Sequence, residues 1–264
     1  MIFETHAHYD DEAFDEDRAK LLGSMERGGI GRIVNIAADL DSCRTTLALC
    51  GEFPFIHAAL GVHPSGTGEL TDESVEWLTD LIRKNSIKNG GKVVAVGEIG
   101  LDYYWEANPP ADIQKKWFAR QLEMAKEVSL PLVIHSRDAA KDTFDMIKEH
   151  RSFEEGGIIH CYAYSREMAR DYLSMGFYFG IGGVVTFKNS RKLREVVEFL
   201  PIENIVLETD SPYLSPVPHR GKRNSSLNLP YIAEEIGRIK GMDAESVIEI
   251  TKCNAMRLFG VDAV

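Results

Sequence analysis

Eight short apolar, β-branched runs alternate along this chain with amphipathic stretches of helical length. No other feature restricts the fold as much. The runs are Ile2 to Thr5, Arg32 to Ala37, Phe55 to Leu60, Val93 to Gly97, Pro131 to Ile134, Gly157 to Ile159, Phe177 to Ile181 and Ile205 to Leu207. Between them lie segments such as Glu16 to Arg27, Glu73 to Lys84, Gln114 to Lys126 and Ser190 to Phe199. Strands alternating with helices pair in parallel through right-handed crossovers. Eight units of roughly 30 residues predict an α/β fold closed into a (β/α)8 barrel. The 264 residues suit one such domain over 1–264. An open doubly wound sheet is the competing arrangement, but it usually carries a glycine-rich phosphate loop, and no G-x-G-x-x-G follows the first run. Two further helices are expected near Leu229 to Ile239 and Asp243 to Phe259, with Asp243 as N-cap of the second.

The ends of these runs carry the chemistry. Thr5-His6-Ala7-His8 follows the first run, and residues i and i+2 of a strand point the same way, so the two imidazoles converge. Glu98 ends the Val93 run between Gly97 and Gly100, glycines that would let backbone approach a ligand. His135 follows Leu132-Val133-Ile134, His160 follows Gly157-Ile158-Ile159, and Asp210 closes Ile205-Val206-Leu207-Glu208-Thr209. A single strand-end histidine is more often a core residue with a hydrogen-bond partner; several at equivalent places call for a common ligand. Four histidines and two carboxylates exceed one tetrahedral site. They suit two divalent ions roughly 3.5–4 Å apart, at the C-terminal ends of the strands. Imidazole favours Zn, Mn or Co, and carboxylate with water favours Mg.

Other residues are candidates for the surroundings of that site. His63, in Gly61-Val62-His63-Pro64, follows the third run and serves either substrate or structure. Arg137 and the cluster His219-Arg220-Gly221-Lys222-Arg223 are the expected phosphate clamps, because guanidinium matches phosphate oxygens two by two. Tyr103, in Tyr103-Tyr104-Trp105, either stacks a base or covers the barrel mouth. Glu208 shares a strand face with Asp210 and is placed to orient a ligand imidazole. Cys161 is expected to point away from the site and pack.

The formal net charge of -11 excludes a protein that coats nucleic acid through its overall field, but not one with a small local cationic site. The four cysteines form no C-x-x-C pair, which fits reduced thiols and a cytoplasmic chain. Met1 to His6 carries no basic, apolar leader, and no run approaches the ~18 apolar residues of a membrane span.

Taken together these motifs resemble the TatD family of metal-dependent deoxyribonucleases, amidohydrolase-like TIM barrels. The matching pieces are His6-Ala7-His8, Gly61-Val62-His63-Pro64, Gly97-Glu98-Ile99-Gly100-Leu101-Asp102-Tyr103, His135-Ser136-Arg137-Asp138-Ala139, His160-Cys161, Phe187-Lys188-Asn189, Glu208-Thr209-Asp210-Ser211-Pro212-Tyr213-Leu214, Pro218 to Asn224, and Asn254 to Gly260. They run in order along nearly the whole chain. The resemblance implies a binuclear site in which His6, His8 and Asp210 hold one ion, His135 and His160 the other, and Glu98 bridges. It also implies a nuclease, often exonucleolytic from the 3′ end, with nucleic acid as partner. One departure stands out: Tyr162-Ala163-Tyr164-Ser165 follows Cys161 where the family usually has an aromatic, a small hydroxyl residue and glycine. That change bears on substrate shape and leaves the ligands alone.

The expected reaction is phosphodiester hydrolysis by a hydroxide generated between the ions, with Asp210 as general base. Two rivals remain at this stage. One is a metal-dependent esterase or deacylase on the same residues, acting for example on D-aminoacyl-tRNA. The other is a metal-free scaffold that no longer turns over.

Overall fold

The computed structural model describes residues 1–150 and 154–261. Eight strands among them form one sheet in chain order: β1 (Ile2–Ala7), β2 (Ile30–Ile36), β3 (Ile56–Leu60), β4 (Val93–Asp102), β5 (Leu132–Arg137), β6 (Gly157–Ile159), β7 (Tyr178–Ile181) and β8 (Ile205–Leu207). Every neighbouring pair is parallel. The edges meet at a seam where the Asp210 amide donates to the His6 carbonyl at 2.9 Å and the His8 amide to the Ser211 carbonyl at 2.8 Å. The fold is therefore the expected (β/α)8 TIM barrel, and its closing hydrogen bonds lie among the candidate ligands themselves.

Helices follow the strands: α1 (Arg18–Leu22), α2 (Leu40–Glu52), α3 (Asp72–Asn85), α4 (Ala111–Val128), α5 (Ala140–His150), α6 (Arg166–Ser174), α7 (Arg191–Phe199), α8 (Leu229–Lys240) and α9 (Ala244–Phe259). Local sequence sets their ends. Asp39 and Thr71 each form a capping box with the serine three residues on, and Asp243 accepts from the Ser246 amide as the N-cap of α9. The helix expected over Glu16 to Arg27 is broken: α1 ends at Leu22, Gly23 and Ser24 interrupt it, and a short 3₁₀ turn covers Glu26–Gly28.

The strands are buried on both faces, as parallel strands under a coat of helices must be. Phe3, Val34, Ile36, Ala59, Val94, Val133, Ile158 and Val206 fill the barrel interior. Phe259 of α9 seals its lower end by stacking on Phe3, ring centroids 5.9 Å apart. That seal leaves the opposite, C-terminal mouth as the open end. Among the described residues no helix is long and apolar enough to cross a membrane.

One strand departs from expectation. β4 does not stop at Gly97 but continues to Asp102, pairing Gly100 with His135 and Asp102 with Arg137 after a register shift between Val96 and Ile99. The glycines flanking Glu98 permit this pairing. A Cβ on Gly100 would lie 1.9 Å from the His135 carbonyl oxygen, and one on Gly97 2.6 Å from the Val133 side chain.

Candidate metal centre

At the barrel mouth five side chains from four strand ends converge. His6 Nε2 and His8 Nε2 stand 3.2 Å apart. Glu98 Oε2 lies 3.5 Å from the first and Asp210 Oδ1 3.4 Å from the second. His160 Nε2 completes the set, 3.8 Å from Asp210 Oδ1 and 3.9 Å from Glu98 Oε1, with its ring stacked on that of His6 at 3.4 Å. Two groups of three donors, His6 with Glu98 and His160, and His6 with His8 and Asp210, are each close enough to hold one cation.

The donor set fits a divalent ion on its own chemistry. Nitrogen lone pairs do not stack at such distances without a proton or a cation between them. The His8 Nδ1 proton is donated to the Ile36 carbonyl at 2.9 Å, which leaves Nε2 as the inward lone pair. His6 Nδ1 is buried with no hydrogen-bond partner among the described residues. Imidazole nitrogen and carboxylate oxygen together suit Zn, Mn or Co, with Mg at the oxygen-rich extreme.

The charges of the cage are strongly coupled. Burial alone would raise the Glu98 carboxyl, but the imidazoles of His6 and His135 outweigh it and hold the acid well below the usual range. Asp210 behaves likewise, burial being overcome by the hydrogen bond from His8 and by His160 and His6. Burial opposes charge on His8 and His160, yet Asp210 raises His8 to about 9 and Glu208 raises His160 to about 10. Both carboxylates are thus ionised, and cation and proton compete for the histidine nitrogens.

His135 stands at the edge of this group. Its Nδ1 is 2.8 Å from Glu98 Oε1, and its Nε2 is 3.0 Å from Asp102 Oδ2. The structure therefore brings His135 to Glu98 by Nδ1 and to Asp102 by Nε2. Glu208 stands in the same relation to His160, with Oε1 3.1 Å from Nδ1 and accepting the Cys161 amide at 2.7 Å. Sequence reading assigned that orienting place to Glu208 and gave none to Asp102. Strand alternation would have put Asp102 on the Glu98 face, had β4 been read past Gly97. Glu4 was also passed over, although it is i-2 from His6. It is buried, accepts from the amides of His6 and Thr209 and from the Thr209 hydroxyl, and burial raises its pKa to about 8.

The surrounding candidates divide. His63 packs edge-on against His135, centroids 4.4 Å apart, and burial followed by the His135 charge lowers it to about 4. Its Nδ1 accepts the Ser65 amide, so the neutral ring carries its proton on Nε2. Arg137 lines the same cleft of ≈ 700 Å³, with its guanidinium 3.9 Å from the Tyr104 ring and 5.5 Å from that of Trp105. Tyr103 does not face the cleft as a stacking surface: it packs against the core, and its hydroxyl donates to Asp142 at 2.9 Å. Of its exposed neighbours Tyr104 and Trp105, Trp105 lines the cleft. Arg223 is not a free clamp either, being paired with both carboxylate oxygens of Asp17 at 2.8 and 2.7 Å. Arg220 and Lys222 line a separate cleft. Tyr164 is directed beneath the mouth, its hydroxyl 2.8 Å from Ser136 Oγ. Cys161 is half-buried and lines a cleft with Tyr162 and Gly180, and its Sγ lies within 4.8 Å of a His160 ring nitrogen and a Glu208 carboxylate oxygen.

Comparison with known proteins places this geometry. The family model described as TatD related DNase matches residues 3–260. The chain is 41% identical over 262 residues to the uncharacterized metal-dependent hydrolase YabD of Bacillus subtilis, covering 99% of this chain and 100% of that one. It is 32% identical to YcfH of Escherichia coli, also an uncharacterized metal-dependent hydrolase, over 100% of this chain and 97% of its relative. Among solved structures, the TatD homologue YjjV of E. coli superposes with a TM-score of 0.90 at 28% identity, covering 99% of this chain and 98% of that one.

Proposed function

The chain belongs to the TatD family of metal-dependent hydrolases, and from that premise we propose that it is a deoxyribonuclease, hydrolysing phosphodiester bonds of single-stranded DNA from the 3′ end. The observation that carries the reading is the pairing of a nitrogen–oxygen cage with one guanidinium, Arg137, in a single open cleft. Among the described residues Arg137 has no carboxylate partner and is held only against aromatic rings, so its donors are available to a phosphate.

In this reading His6, His8, Glu98 and Asp210 would hold one ion, and Glu98, His135 and His160 a second. When bound, the ions supply Lewis acidity and lower the pKa of water toward neutrality. The protein's own residues do the rest. Asp210 engages the histidines through Oδ1, which leaves Oδ2 to accept the proton of the attacking water. Its depressed pKa keeps that acceptor ionised at neutral pH. Arg137 binds the non-bridging phosphate oxygens, and Trp105 and Tyr104 fix its plane. His63 donates its Nε2 proton as a hydrogen bond to the phosphate or leaving oxygen while staying neutral. Glu208 and Asp102 hold His160 and His135 in the tautomers the cage requires.

The test compares a 3′-labelled single-stranded oligonucleotide with a D-aminoacyl ester, each with added Mn²⁺ or Zn²⁺. We expect loss of 3′ nucleotides from the DNA and slow turnover of the ester. Asp210→Asn and Glu98→Gln should lower the DNA rate by several powers of ten. Rapid hydrolysis of the ester with intact DNA would replace this reading by a deacylase; turnover of neither would favour a scaffold.

A further inference from the structure

Of the cations that the sequence marks near the mouth, two are left without a role at the cage. Arg220 and Lys222 are exposed and line a cleft of ≈ 500 Å³ with Phe187, Tyr213, Leu214 and Ser215. Among the described residues neither side chain has a carboxylate at ion-pair distance, whereas Arg223 beside them is paired with Asp17. The guanidinium carbon of Arg220 lies over Phe187, 3.9 Å from the ring centroid. The Ser215 hydroxyl donates to the Lys222 carbonyl at 2.6 Å and ties down the loop that carries both cations.

This cleft adjoins that of the cage. Tyr213 and Leu214 line both. Tyr213 is 54% exposed and its hydroxyl is fixed to Asp11 Oδ2 at 2.8 Å, so its ring is held at the divide between the two clefts. Charge is divided too. Asp10, Asp11 and Asp39 also line the cage cleft, Asp11 beside Tyr213 itself, so a strand crossing Tyr213 needs the two cations to outweigh that charge. Free cations stand at Arg137 and at Arg220 with Lys222. In a chain of net charge -11 an unneutralised cationic pair beside the mouth has a local, not a global, effect.

We propose that Arg220 and Lys222 form a second phosphate subsite, reached from the cage over Tyr213, which binds an internucleotide phosphate of a strand running past the scissile bond. The inference rests on the phosphodiesterase reading and deepens it: the substrate is a chain of several nucleotides, not a mononucleotide ester. A base lying on Tyr213 adds stacking that tolerates any sequence.

The test uses metal-loaded protein and two fluorescent single-stranded probes with phosphorothioate linkages, which keep the charge and resist hydrolysis: a 12-mer and a dinucleotide. Affinities are measured by anisotropy from low to moderate salt for the wild type and for Arg220→Ala/Lys222→Ala. In the double variant the ratio of 12-mer to dinucleotide affinity should fall about tenfold. Its slope of log affinity against log salt should flatten by about 1.4, two contacts at ~0.7 each for single strands. An unchanged ratio and slope overturns the subsite. Hydrolysis of an unmodified 12-mer by the wild type is followed separately. Cleavage with an unchanged slope removes the subsite and keeps the phosphodiesterase; a flattened slope without cleavage keeps the polyanion subsite and removes the reaction.

Discussion

Glu208 and His160 meet on the closed side of the cage, Oε1 to Nδ1 at 3.1 Å, with side chains 1% and 4% exposed. The carboxylate also accepts the Cys161 amide. It therefore stands at ion-pair distance from the ring nitrogen opposite Nε2 and leaves Nε2 facing Glu98 and Asp210. Asp102 does the same for His135 from the other side, with the two nitrogens exchanged. Two histidines from neighbouring strands thus each have a carboxylate beside one ring nitrogen.

Glu208→Gln should weaken divalent-metal affinity by about 10–100-fold while the barrel stays folded, since an amide can still fill the space but no longer favours the Nδ1 proton. Competition with a chelating dye measures the affinity, and circular dichroism checks the fold. Metal affinity equal to the wild type would mean that His160 needs no such partner.

Gly180 should resist substitution for a reason specific to that acid. A Cβ there would lie 1.9 Å from Glu208 Oε2 and 2.5 Å from its Cδ. Gly180→Ala must push the carboxylate away from His160 or displace β7, at a cost of about 1–3 kcal/mol. Urea denaturation of the apo protein reads the stability, and the dye assay reads the metal. Alanine accommodated with neither quantity changed would contradict the packing described.

Tyr103→Phe should leave KM for an oligonucleotide within about twofold, because the hydroxyl is spent on Asp142 and not on substrate. Loss of that hydrogen bond should lower stability by about 1 kcal/mol. Arg137→Ala, by contrast, should raise KM or lower kcat about tenfold or more. A tenfold KM rise in Tyr103→Phe would return Tyr103 to the substrate surface.

Stability should depend on pH through His57, at the lower part of β3. Burial, helped by Lys92 and Arg32, lowers its pKa from 6.5 to about 4. The folded state keeps the ring neutral while the unfolded chain takes up a proton below 6.5. Stability attributable to His57 is therefore level above that pH and falls as pH drops through the window from 6.5 to 4, by up to about 3 kcal/mol. Chemical denaturation of wild type and His57→Gln at pH 7 and pH 4.5 isolates the effect. The gap between the proteins should change in favour of the variant on acidification; parallel losses would contradict the assignment.

The period of the apolar runs made the barrel legible, because parallel strands buried on two faces need uninterrupted apolar stretches and little else. His6, His8, Glu98, His160 and Asp210 could be picked out by their place after such stretches. What the runs conceal is where a strand continues with apolar residues only at alternate positions, as at Ile99 and Leu101. β4 goes on through Gly-Leu-Asp because Gly100 lets it approach His135, and Asp102 was therefore missed. The partners of Tyr103 and Arg223 were not legible for a different reason. Side-chain direction on the loops depends on Asp142 and Asp17, which are remote in sequence from the residues they bind.

The most direct measurement is the metal content of the reconstituted protein, by elemental analysis after dialysis against trace-metal-free buffer, for wild type and Glu98→Gln. The account predicts two divalent ions per chain in the wild type and one or none in the variant, since Glu98 is the acid that reaches both histidine groups. A wild-type protein that retains no metal, or a variant that retains as much as the wild type, would contradict it.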